Sequence, residues 1–62
     1  RANVRCDFYY LSGNSMVMNA VECGHNWQDN AYKSGNYLPT KELAEQFQKQ
    51  YLELLNNFHK NL

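Results

Sequence analysis

The stretch SGNYLPTKELAEQF, residues 34–47, divides the chain into two unlike halves. Gly35 and Asn36 are turn residues, and Pro39 cannot continue a helix backward. Thr40 suits a helix N-cap, because its hydroxyl can accept from an early helical N–H. Glu42 in the first turn suits the helix dipole. Leu43 stands where a capping box would place Glu or Gln, so that motif is incomplete. From Lys41 onward, Leu43, Ala44, Phe47, Tyr51, Leu54, Leu55, Phe58 and Leu62 fall on one face at helical spacing. Lys41, Glu45, Lys49 and Glu53 step along the opposite side with alternating sign, the mark of a solvated face. The pattern predicts one amphipathic helix over 40–61.

Upstream, residues 4–23 read as a β-hairpin. CDFYYL is rich in strand-favouring aromatics, SGNS reads as a tight turn, and MVMNAVEC returns. A two-residue Gly13-Asn14 loop would oppose Tyr10 with Val17, Phe8 with Asn19, Cys6 with Val21 and Arg5 with Glu22. Val4, Cys6, Phe8, Tyr10, Val17, Val21 and Cys23 would then form the core face. The other face would hold three charges. A lone strand pair needs a further layer, which the helix supplies. Between hairpin and helix, residues 24–39 read as loop, because Gly, Asn, Asp and Ser break any period. Trp27, Asp29, Tyr32 and Lys33 are its candidate partner contacts, since Trp and Tyr dominate binding hot spots. The competing reading is that Trp27 and Tyr32 lid a small core. The expected architecture is therefore α+β, ββα in order, in a single small domain.

Sixty-two residues allow one domain at most, and chains this short are marginal without a staple, a metal or a partner. A first residue of Arg reads as a fragment or processed product, in keeping with the terminal domain of a longer protein. Six basic residues balance six acidic ones, and the balance holds on both sides of Leu38. No basic stripe of the nucleic-acid-binding kind is visible, which makes nucleic acid an unfavoured partner. There is no long apolar run, so no membrane span is expected. Cys6 and Cys23 fall diagonally in the expected register. Diagonal neighbours lie ~7–8 Å apart, beyond the reach of an unstrained disulfide. Reduced thiols in a cytoplasmic setting are the better expectation.

Cys6, Cys23, His25 and His59 make a nominal Cys₂His₂ set, but the Cys23-x-His25 spacing is too tight for a zinc finger, and His59 lies near a fraying end. A Cys23/His25 nucleophile pair lacks a third group to orient the imidazole. Gly24 and Gly35 are isolated, so there is no phosphate loop. No cofactor, no metal and no enzymatic activity are expected.

The helix outreaches the hairpin. Some 21 residues span roughly 30 Å, whereas strands of six to eight residues reach about 20–27 Å. Tyr51, Leu54, Leu55, Phe58 and Leu62 would overhang as an apolar stripe. Such patches usually mark an interface, and a two-fold homodimer is the commonest solution. A homodimer or higher oligomer follows as the expectation.

GNYLPTKELAEQF resembles the element GNYF-K-T-K-E-E-A-E of small phage and prophage proteins of uncharacterised role. In those proteins it follows an aromatic strand, a Gly turn, a second strand and a loop with Trp, Asp and Tyr. Here FYYLSGNSMV, WQDNAYKSGNY and LPTKELAE keep that order, roughly from Phe8 to Leu54. Gly35, Asn36, Tyr37, Thr40, Lys41, Ala44 and Glu45 match; Leu38 replaces a Phe and Leu43 a Glu. The resemblance implies phage or prophage origin and a host cytoplasm, and it brings no catalytic residue. The functional expectation is a non-catalytic accessory or regulatory domain that self-associates and binds a host or phage protein. The alternatives are a nucleic-acid-associated regulator and a small zinc-binding domain.

Overall fold

The computed structural model describes all 62 residues and shows an α+β chain in the order ββαα. Strands β1 (Asp7–Leu11) and β2 (Val17–Val21) form an antiparallel hairpin. Helices α1 (Asn26–Ser34) and α2 (Lys41–Lys60) follow. The expected C-terminal helix is present, and Thr40 caps it by accepting from the Leu43 N–H at 3.2 Å. Two expectations are corrected: residues 26–34 are helix rather than loop, and the hairpin register differs by one residue.

The register follows from the turn. Ser12 N–H donates to Met16 O at 2.9 Å, and Ser15 N–H to Ser12 O at 2.8 Å. Ser15 takes a left-handed backbone (φ 62°), so the loop holds three residues, Gly13–Ser15, not two. Phe8 therefore opposes Ala20, Tyr10 opposes Met18 and Leu11 opposes Val17. A one-residue slip moves every β2 side chain to the other face. Phe8 and Tyr10 thus share a face with Met18 and Ala20, while Val17 and Val21 join Tyr9 and Leu11 opposite. At the open end, Glu22 N–H donates to Cys6 O (2.9 Å) and Arg5 N–H to Glu22 O (2.8 Å). Two residues oppose one there, a bulge, with Arg5 held at φ 73°.

Both sheet faces are covered. Phe8 is fully buried; its ring stacks on Tyr37 at 4.1 Å and meets Trp27 of α1 at 5.9 Å. Leu11, on the second face, lines a cleft with Phe47 and Tyr51 of α2. Helix α2 approaches both strands, and Ala44 is its one fully buried residue. Small Ala44 allows the close approach.

Residues 36–38 cover the outer edge of β1. Tyr9 and Leu38 exchange backbone hydrogen bonds at 2.9 and 2.7 Å. The Asn36 side chain then accepts from Leu11 N–H (2.7 Å) and donates to Leu11 O (2.8 Å). Its amide copies a strand residue and satisfies the β1 backbone there. The opposite edge of the hairpin, along Val17 and Asn19 of β2, has no such cover.

Candidate functional site

Two surfaces carry the residues singled out in the sequence. The first is α1. His25 is its N-cap residue, and Gly35 ends it at φ 86°. Asn36 N–H donates to Ala31 O and Gly35 N–H to Tyr32 O, the paired closure of a Schellman motif. Gln28 ties the helix to β2. Its Oε1 accepts from Cys23 N–H at 2.7 Å and its Nε2 donates to Val21 O at 2.8 Å. Its side chain is almost wholly buried with every polar atom satisfied.

Trp27 is turned toward the hairpin, 5.3 Å from the Tyr10 ring, yet remains 45% exposed. Tyr32 sits edge-on against Tyr37, with the Arg1 guanidinium 5.6 Å above its ring. Asp29 bridges Lys33 at 3.1 Å and Arg1 at 2.7 Å. These hydrogen bonds, with Lys33 first and Arg1 second, hold the Asp29 carboxyl below its ordinary range. Asp29, Tyr32 and Lys33 thus gather around Arg1, and Trp27 stands apart on the hairpin side. Both aromatics lid the core and face solvent at once, so substituting Trp27 removes core contacts as well as surface.

Glu22 is the residue that sequence reasoning missed. Its carboxylate accepts from Arg1 Nε (2.8 Å), Tyr37 Oη (2.7 Å) and Gly24 N–H (2.8 Å). Arg1, then Tyr37, then Gly24 draw its pKa down to about 2. Tyr37 is pushed up, chiefly by burial and then by its bond to Glu22. Nothing in the spacing signals this cluster: Arg5 does oppose Glu22 through the backbone at the bulge, but the Glu22 carboxylate goes to Arg1, Tyr37 and Gly24 instead.

The second surface is the far half of α2. The face that meets the sheet through Ala44 continues without a break through Tyr51, Leu54, Leu55 and Phe58, and Leu62 extends it beyond the helix end. Gln48 Nε2 donates to Ser15 O at 2.7 Å, so the hairpin turn ends beside Gln48. Past that point the stripe is bare: Leu54 is 65% exposed, Phe58 61% and Leu62 86%. Leu55 is half-buried, and Leu52, on the flank, is exposed.

The overhang is visible in the molecule's dimensions. The chain measures 42 × 22 × 16 Å, with a radius of gyration of 12.7 Å. A compact 62-residue domain would have a radius of about 10–11 Å. Its accessible surface is 4845 Å². A 7.3 kDa folded monomer is expected to expose about 4200 Å². The excess is roughly 600–700 Å², close to the ~800 Å² per partner that a standard interface buries.

Where the hairpin turn meets the overhang lies a cleft of about 290 Å³, lined by Leu11, Ser12, Gly13, Ser15, Ser34, Asn36, Phe47 and Tyr51. Cys6 and Cys23 are free and exposed, and no three His, Cys, Asp or Glu side chains converge as a metal site. No helix is long and apolar enough to cross a membrane. Comparison with protein-family models, curated proteins and solved structures gives no match.

Proposed function

We propose that the protein is a non-catalytic interaction domain that works as a homodimer, or higher oligomer, built on the overhanging half of α2. The carrying observation is the stripe Tyr51, Leu54, Leu55, Phe58 and Leu62. It extends the core face of α2 past the end of the sheet and leaves surface in excess by about one interface half. The one strongly perturbed acid, Glu22, argues against acid–base catalysis. Its side chain is buried, held ionised and filled by donors, so it has no free position for a substrate proton.

Helix α1 supplies the second contact surface, with Trp27 and Tyr32 half exposed and the Asp29–Lys33–Arg1 group beside them, for a host or phage protein partner. The phage-type accessory role and the host cytoplasm rest on the resemblance around Gly35, Asn36, Tyr37 and Thr40. Sedimentation equilibrium across a wide concentration range tests the dimer. The expected result is reversible association that Leu54→Glu abolishes while the far-UV spectrum is kept. A single-chain mass at high concentration refutes it.

A further inference from the structure

The bare stripe and the cleft at the hairpin turn are the two halves of one joint. We infer that two chains pair with their α2 helices antiparallel, and that Phe58 of each chain seats in the cleft of the other, against Phe47 and Tyr51. This inference rests on the self-association proposed above and specifies its geometry.

Three observations carry it. The first is steric. The stripe and the sheet occupy the same face of α2, since Ala44 is buried on the sheet side and Gln48 bonds the Ser15 carbonyl. A parallel partner would run its own N-terminal half through the space that the hairpin fills. An antiparallel partner brings only its overhang and meets the hairpin end-on.

The second is register. Tyr51 and Phe58 lie three to four residues on either side of Leu54 and Leu55. A two-fold axis at that midpoint sets Phe58 beside the partner's Tyr51, which forms the cleft wall. The third is size. A cavity of ~150 Å³ holds benzene, so the cleft of about 290 Å³ admits a phenyl ring. Leu11, Phe47 and Tyr51 form the apolar wall that ring would meet, and Ser12, Gly13, Ser15, Ser34 and Asn36 form the polar remainder. Antiparallel pairing also makes the contact isologous and closed, so assembly stops at two chains.

The test uses the Cys6→Ser, Cys23→Ser chain, spin-labelled at Lys41→Cys, with distances read by pulsed dipolar spectroscopy. Antiparallel pairing about Leu54–Leu55 places the two labels about 40 Å apart along the helix axis. Parallel pairing places them within about 20 Å, given an ~8–10 Å separation of helix axes and the label arms. Two substitutions test the seat itself. Phe58→Ala, at an exposed position, is expected to weaken the dimer about 1000-fold, because the two-fold contact loses two hot-spot side chains at about 30-fold each. Ser34→Trp, which fills the cleft from α1, is expected to weaken it comparably with the monomer spectrum unchanged. A dimer with a short Lys41 distance, or one indifferent to Phe58→Ala, overturns this geometry and leaves self-association standing. A monomer at all concentrations overturns both.

Discussion

Replacing Gln28 by Leu tests whether α1 is held by one buried amide. The substitution keeps side-chain bulk and deletes two short hydrogen bonds, from Cys23 N–H at 2.7 Å and to Val21 O at 2.8 Å, and a longer one from His25 N–H at 3.4 Å. The helix has only nine residues, well short of the ~12–15 that a free helix needs to be even marginal in water. Its stability must therefore come from such attachments. Each lost bond leaves a backbone group without its partner, at a cost of about 1–3 kcal/mol when that group is shut off from water. Val21 O keeps the Cys23 thiol at 3.3 Å as a weak second donor, and Val21 and Cys23 are exposed enough for water to replace part of the loss, which places the sum at about 1–3 kcal/mol. A domain of this length holds only about 3–9 kcal/mol in total. At roughly 4–8 °C per kcal/mol, the midpoint should fall by about 5–20 °C. Thermal unfolding followed at 222 nm measures it, at one fixed chain concentration, with exposed Gln50→Leu as the surface control. A Gln28→Leu midpoint within a few degrees of the parent would refute the idea that this amide anchors the helix.

Three further predictions rest on local geometry. Arg5 is exposed and held at φ 73° in the bulge, so Arg5→Gly should raise stability by up to about 1 kcal/mol, because glycine takes that conformation without strain; a lower urea midpoint would contradict this. Glu22 titrates at about 2 in the fold against an ordinary 4.5, and Asp29 is shifted the same way. The unfolded chain therefore takes up these protons first, so the stabilisation is full above about pH 4.5 and drains away as pH falls toward 2. Tyr37→Phe keeps the stack on Phe8 and removes one donor, so NMR titration should find the Glu22 carboxyl above its parent value; an unchanged value would exclude the hydroxyl as a cause.

The parts of the fold legible in the sequence are those with a strong local cause. Helix α2 announces itself by period and by Thr40, and the expected 40–61 meets an observed Lys41–Lys60. The hairpin is legible as two strands and a turn, but its register is not, because it depends on Ser15 accepting a left-handed backbone that favours glycine or asparagine. Helix α1 is illegible because Asn26, Asp29 and Asn30 are poor helix formers, and its support comes from Gln28 reaching back to β2. The Glu22 cluster joins residues 1, 22, 24 and 37, which no local pattern connects. The overhang was legible, since it needs only the two element lengths.

The amide of Asn36 closes one flank of the hairpin, while on the other Gln28 reaches only Val21 and leaves Val17 and Asn19 open. Exposed Met16 and Met18 lie beside that open stretch, so it is where an extended segment from elsewhere could add itself to the sheet. Growth there is self-limiting. Two hairpins joined through β2 make a four-stranded sheet whose remaining borders are both sealed by Asn36 and Leu38, so growth of the sheet itself halts at a pair.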